Sequence, residues 1–327
     1  MSFSITAEIA PLKQQLQSIY LGHDNVIDQL LVALLCSGHV LLEDVPGLGK
    51  TTLAKALAKS LSLSFKRIQC TPDLMPSDVL GGNIYQPNTQ DFKFLPGPVF
   101  TNLLLVDEIN RASPRTQSAF LEAMAEGNVT IDRKTAGLPK PFMVIATQNP
   151  IEFAGTFALP EAQLDRFFMR LTLGYPSTEQ ALTLLQSHQK QEPIEAAQAL
   201  ITKEQLINWQ QSCLNVSLNT EVQRYIVAII EGTRNHKDIR LGASPRAAIA
   251  LMQAARAHAY LQGQGFVTPE HVQTVAPAIL SHRLITRGQQ SPAQSHSLVT
   301  HLLNSIPVPG VANAETAAES NPPHAAQ

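Results

Sequence analysis

"VLLEDVPGLGKTTLAKAL", Val40 to Leu57, is the stretch on which the fold turns. A strict phosphate-binding loop reads G-x-x-x-x-G-K-[ST]. Gly49, Lys50 and Thr51 supply its end, but Asp44 stands where the first glycine belongs. An apolar run precedes the loop, and Ala54, Leu57, Ala58 and Leu61 make one face of a helix after it, so strand, loop and helix come in the required order. Gly47 and Gly49 would let main-chain N–H groups wrap a phosphate. Lys50 would reach the β- and γ-phosphates, Thr51 would ligate Mg²⁺ through its hydroxyl, and the helix adds its positive end. At Asp44 a positive φ is the usual demand, one that Asp tolerates better than most residues, and its carboxylate should point away from the phosphates.

Outward from this loop, four more apolar segments follow: "SFKRIQC", "NLLLVDE", "PFMVIATQ" and "RFFMRLTL". Such short runs suit a parallel sheet covered by helices, an α/β core. "GGNIYQPNTQDFKFLPGPVF" reads as a hairpin around Pro87 to Asp91, and "NVTIDRKTAGLPKPFMVI" as another. Upstream, Ile5, Ile9, Leu12, Leu16 and Ile19 recur at helical spacing, with a helix start expected near Pro11; a second helix is expected with Asp24 as N-cap and Gly38 past its end. Past Tyr175-Pro176 the patterns are helical without convincing strands. The expected division is therefore a core over 1–174, an all-helical domain over 175–306, and a disordered Pro- and Ala-rich tail over 307–327.

Four further positions carry chemistry. "NLLLVDEIN" is an apolar strand ending in Asp107 and Glu108, where one acid can hold Mg²⁺ and the other polarise an attacking water. Read alone, the pair could equally mark a strand end before the helix capped by Ser113 and Pro114; beside the loop, the catalytic reading prevails. Asn149 ends the next strand in "VIATQNP" and could position the same water, although a turn-forming Asn before Pro150 explains it equally well. Arg166 closes a short helix, where a cation is favourable anyway. Arg246 lies in the first turn of a helix begun by Ser244 and Pro245, where a cation opposes the helix dipole; a bound anion would offset that cost.

Composition narrows the alternatives. The chain has 327 residues, 44% hydrophobic and 15% charged, with a formal net charge of -2, so no global field attracts nucleic acid or an anionic membrane. No apolar run is long enough to span a bilayer, and the start lacks the basic and apolar regions of a signal peptide. Cys36, Cys70 and Cys213 are isolated, and the ten histidines are scattered. A cytoplasmic protein without disulfides or a structural metal is expected.

With these pieces in order, the chain resembles the MoxR family of AAA+ ATPases from about Leu12 to Leu303. The similarity is carried by "LLEDVPGLGKTTLAKALA", "FLPGPVFTNLLLVDEINRASPRTQSAFLEAMAEGNVTID", "VIATQNPIEFAGTFALPEAQLDRF" and "GASPRAA". The resemblance implies a P-loop core with a C-terminal helical lid and the cofactors ATP and Mg²⁺. It implies nucleotide contacts along Val45, Pro46, Gly47, Leu48, Gly49, Lys50, Thr51 and Thr52, with Leu21 and Gly22 near adenine. Thr51 and Asp107 become Mg²⁺ ligands, Glu108 the Walker B acid, Asn149 sensor 1, Arg246 sensor 2, and Arg166 an arginine finger reaching a neighbouring subunit's ATP. It implies a hexameric ring, a core–lid hinge near Gly174 to Ser177, a partner bearing a von Willebrand factor A domain, and protein clients, often metalloenzyme complexes. The first hairpin would face the ring's axis. Phe153 and Phe157 depart from the family pattern and are expected to pack against the lid.

A magnesium-chelatase-type motor subunit shares the inserted hairpin and is the nearest rival. A DNA motor would need a nucleic-acid module that the chain does not show. A GTPase would need an Asn-Lys-x-Asp stretch, and no Asn-Lys pair occurs. A kinase-like P-loop enzyme would need neither ring nor Arg166, and a degenerate scaffold would not keep every hydrolytic residue.

Overall fold

The computed structural model describes residues 5–45, 47–88, 90–131, 134–149, 155–187, 193–288 and 292–309. Pro46, Phe153 and the tail from 310 onward lie outside these residues. The described residues divide into two compact units, one up to Leu214 and one from Asn215 onward.

The larger unit runs α1 (Ile5–Ile19), α2 (Asp24–Leu35), β1 (Val40–Glu43), α3 (Lys50–Ser60), β2 (Phe65–Gln69), α4 (Pro76–Leu80), β3 (Gly81–Gln86), β4 (Asp91–Pro96) and β5 (Leu103–Asp107). It continues with α5 (Pro114–Glu126), β6 (Asn128–Ile131), β7 (Lys134–Gly137), β8 (Met143–Gln148), α6 (Glu161–Leu164), β9 (Met169–Leu171), α7 (Thr178–Ser187) and α8 (Lys203–Leu214). Five strands form one parallel sheet in the order β2-β5-β8-β1-β9. β5 and β8, inside the sheet, are buried almost throughout, as two-sided coverage demands. β2, at the edge, buries Ile68 and keeps Lys66, Arg67 and Gln69 exposed. Leu41, Ile68, Leu104, Val106, Val144 and Ala146 from four of the strands meet Phe120 and Phe167 in one core cluster. The two expected hairpins are β3–β4 and β6–β7.

Three expectations need correction. α1 begins at Ile5, six residues before Pro11, which sits exposed inside it. Burial of Ile9 and the bond from Trp209 Nε1 to Glu8 Oε2 (3.2 Å) hold that first stretch, outweighing the one helical hydrogen bond that proline removes. The division falls at 214/215, not 174/175. Leu200 and Ile201 donate their N–H groups to the Ser60 carbonyl, Gln198 N–H bonds Gln15 Oε1, and Gln210 Nε2 bonds the Leu34 carbonyl, so 193–214 belongs with the sheet. The second unit is also not purely helical.

That unit contains α9 (Thr220–Asn235), β10 (Ile239–Leu241), α10 (Pro245–Leu261), α11 (Pro269–Leu280), β11 (Ile285–Thr286) and α12 (Pro292–Ser305). β10 and β11 pair antiparallel, too short to leave a periodic signal in the sequence. Ala247, Ala250, Ala254, Ala255 and Ala257 give α10 a buried small-residue surface against which α11 packs. Among the described residues no helix is long and apolar enough to cross a membrane.

Candidate nucleotide-hydrolysis site

In an open parallel sheet, ligands bind beyond the carboxyl ends of the strands. Here those ends surround a cleft of about 370 Å³. β1 and the following loop supply Asp44, Gly47, Gly49, Lys50, Thr51 and Thr52; β2 supplies Arg67 and Gln69; β5 supplies Asp107 and Glu108; β8 supplies Thr147 and Asn149. Gly47 (φ 86°) and Gly49 (φ 80°) both occupy the left-handed region, so the loop's shape excludes side chains there, and Gly49 opens α3 directly. Lys50 Nζ donates to the Asp44 main-chain oxygen at 2.6 Å. Burial pulls the Lys50 pKa down, and Asp44, Asp107 and Glu108 push it back up.

The acid pair at the tip of β5 is held by residues that the sequence did not single out. Thr147 Oγ1 accepts the Glu108 N–H at 2.8 Å and donates to Asp107 Oδ1 at 3.3 Å, linking both acids to β8. Arg67 Nε donates to Asp107 Oδ2 at 2.6 Å; Gln69 Nε2 and Arg111 Nη1 donate to Glu108 Oε2 at 2.8 and 3.1 Å. Glu108 has φ 55° and ψ 53°, a left-handed conformation that costs a non-glycine residue about 1–3 kcal/mol. That conformation turns the chain sharply from strand into the 3-10 turn Ile109–Arg111, with the carboxylate left among Gln69 and Arg111. Behind the pair, burial and the two acids push the Cys70 thiol up to about 12, which removes it as a nucleophile.

The donors fit a hard cation. Mg²⁺ takes oxygen ligands, usually one or two from protein with the rest from phosphates and water. The Thr51 hydroxyl and the Asp107 carboxylate line the same cleft, and a carboxylate already accepting two bonds retains lone pairs for a metal.

Asp44 differs from expectation. It is absent from the residues with positive φ, so tolerance of that region does not explain it. Its carboxylate accepts the N–H groups of Leu173 and Gly174, while the residue itself lines the cleft. Leu21, Gly22, Val45, Leu48 and Arg166 do not appear in the lining of the cleft among the described residues, and Pro46 lies outside those residues. Arg166 is exposed just beyond α6, with Nη1 on the Leu121 carbonyl at 3.0 Å. Arg246 is exposed in the first turn of α10, in the other unit, where Ser244 accepts the Ala247 N–H as predicted for an N-cap. Phe157 keeps 43% of its surface exposed, and its main chain is held by Asn110 and Gln117.

Arg67, Gln69 and Thr147 left a weak trace in the sequence. Arg67 and Gln69 share one side of β2 at a spacing of two, and Thr147 lies two residues before Asn149. Only the strand order, which no local pattern encodes, sets them beside Asp107 and Glu108.

The family described as "ATPase family associated with various cellular activities (AAA)" matches residues 39–169, and the AAA lid domain matches residues 231–302. The uncharacterized protein YeaC of Bacillus subtilis is 47% identical over 298 residues, spanning 90% of this chain and 93% of its own. Chaperone MoxR1 of Mycobacterium tuberculosis is 39% identical over 293 residues, 86% of this chain and 77% of its own. A crystal structure of a candidate ATPase from Cytophaga hutchinsonii superposes with a TM-score of 0.84 at 36% identity, covering 93% of this chain and 95% of that one.

Proposed function

The chain belongs to the MoxR family of AAA+ ATPases, and from that premise we propose a cytoplasmic, hexameric ring that hydrolyses ATP to remodel protein clients, with a von Willebrand factor A domain protein as partner. The observation that carries the hydrolytic part is the convergence of Lys50, Thr51, Asp107, Glu108 and Asn149 in one cleft at the strand ends. Lys50 binds the β- and γ-phosphates beside the N–H groups of the loop. Thr51 and Asp107 would hold Mg²⁺, which would supply charge neutralisation on those phosphates. Glu108, steadied by Gln69, Arg111 and Thr147, orients and polarises the attacking water, and Asn149 shares in holding it.

One observation supports the ring, and another supports an anion at the lid. Arg166 is exposed and does not line its own chain's cleft, as a residue acting on a neighbour's ATP would be. Arg246, in the AAA lid, brings a cation to a helix start where only an anion makes it favourable. The remodelling role draws on the chaperone name of the Mycobacterium relative. On this reading hydrolysis shifts core against lid where the two units join, near 214/215 rather than at the expected 174–177, and the β3–β4 hairpin faces the ring's axis.

A mixing experiment tests the ring. Glu108→Gln and Arg166→Ala each abolish ATP turnover alone, and are combined under conditions where subunits exchange. Recovered phosphate release is the expected result, since a trans arginine contributes about 10³–10⁵ in rate. No recovery despite confirmed exchange would make Arg166 a residue of its own chain's site, and a monomeric P-loop enzyme the better account.

A further inference from the structure

β1 and β9 pair in the register Val40↔Met169, Leu41↔Arg170 and Leu42↔Leu171. Continued by two residues, that register sets Asp44 opposite Leu173. The main-chain ladder has stopped there, and the Asp44 carboxylate takes its place: Oδ2 accepts the Leu173 N–H and Oδ1 the Gly174 N–H. Glu43, one residue earlier, pairs with Arg170 Nη1 at 3.3 Å. Two successive acids therefore grip the exit of β9. Asp44 is only 7% exposed; burial raises its pKa, while the two N–H groups and Lys50 lower it.

The same residue holds the phosphate-loop lysine through its main-chain oxygen, and the segment it grips is anchored a second time. Gln180 Nε2 donates to the Gly22 carbonyl at 2.8 Å, and Gly174 lies so close to His23 that a Cβ would fall 3.1 Å from Nε2. Residues 173–180 thus form a strap tied to the phosphate loop at Leu173 and Gly174, lying against His23 there, and to the Gly22 carbonyl at Gln180. A glycine at position 44, the residue a strict phosphate loop prescribes, could make neither side-chain bond.

We propose that Asp44 is a positioning residue for ATP hydrolysis: its carboxylate clamps the 173–180 strap to the start of the phosphate loop, so that nucleotide in the loop rigidifies the strap and the strap keeps the loop in register with Glu108. Binding survives without the clamp, because Lys50 and the loop N–H groups remain. Turnover does not, because a shift of about 1 Å in the loop costs up to about 10²-fold in an aligned displacement. The inference needs nucleotide in this cleft but not a ring.

The test compares full-length Asp44→Gly and Asp44→Asn with the parent. ADP affinity is read by titration, kcat by phosphate release, and strap rigidity by amide exchange over 173–180 with and without ADP. In Asp44→Gly the expected result is an affinity within about threefold, a kcat at least about tenfold lower, and loss of ADP-dependent protection in the strap. Asp44→Asn, keeping one acceptor, should fall between. Parental kcat in Asp44→Gly, or lost kcat with the protection intact, would overturn the proposal, as would loss of affinity equal to the loss of kcat. If the glycine variant does not fold, parental kcat and protection in Asp44→Asn overturn it.

Discussion

β5 and the β3–β4 hairpin both carry large apolar side chains, and these end in opposite environments. Every residue of β5 is buried, whereas Ile84, Tyr85, Phe92 and Leu95 of the hairpin stay exposed, Phe92 by 65%. The difference lies in the neighbours. β5 has β2 and β8 beside it and α3 packed on it, while the hairpin pairs only with itself. Tyr85 and Phe92 cover one another at 5.4 Å between ring centroids instead of joining the core. Hydrophobicity in β5 therefore serves to hold Asp107 and Glu108 at its tip. In the hairpin Phe94 meets the edge of the core through Phe100, at 5.6 Å between ring centroids, while the exposed side chains are available for contact with another surface.

The largest expected effect lies at the buried strand's tip. Glu108→Gln keeps the shape and the Gln69 contact but removes the base, so ATP turnover should fall about 10²–10⁴-fold with nucleotide binding retained. Phosphate release within tenfold of the parent would separate Glu108 from catalysis.

The next tests the buried sheet at its other end. His39, just before β1, accepts the Val144 N–H at Nδ1 (3.0 Å) and faces the Met124 carbonyl through Nε2 (3.0 Å), and burial pulls its pKa down to about 4. The unfolded chain, with an ordinary histidine, binds the proton first as pH falls. Stability should thus be full above pH 6.5 and decline toward pH 4, by about 2 kcal/mol between pH 7 and pH 5. Urea melts at the two pH values measure this, and an equal decline in His39→Gln would assign it elsewhere.

Thr147→Val, isosteric but unable to accept the Glu108 N–H, should destabilise by about 1 kcal/mol. It should also lower kcat while leaving nucleotide affinity in place. A KM change without a kcat change would place Thr147 in binding instead. Smallest of all, Tyr85→Ser and Phe92→Ser in the hairpin should shift stability by no more than about 0.5 kcal/mol and leave basal turnover unchanged. A loss of several kcal/mol there would erase the distinction between hairpin and core strand.

Much of this was legible in the residues themselves. The phosphate loop, the acid pair, both hairpins, the sheet's five strands and the lid can be read because each rests on a local pattern: glycine at forced φ, apolar runs of strand length, Ser-Pro helix starts. What could not be read depends on partners distant in the chain. The reason for Asp44 is Leu173, 129 residues away; the supports of Glu108 are Gln69, 39 residues before it, and Thr147, 39 after it. The placement of 193–214 with the sheet likewise rests on Ser60 and Leu34. Sequence by itself determined the nucleotide chemistry, because backbone wrapping of phosphate and acid placement at a strand end are short-range constraints. Tertiary structure alone decided which side chains hold that chemistry in place, because strand order and register bring them together, and neither leaves a signature within any one stretch of chain.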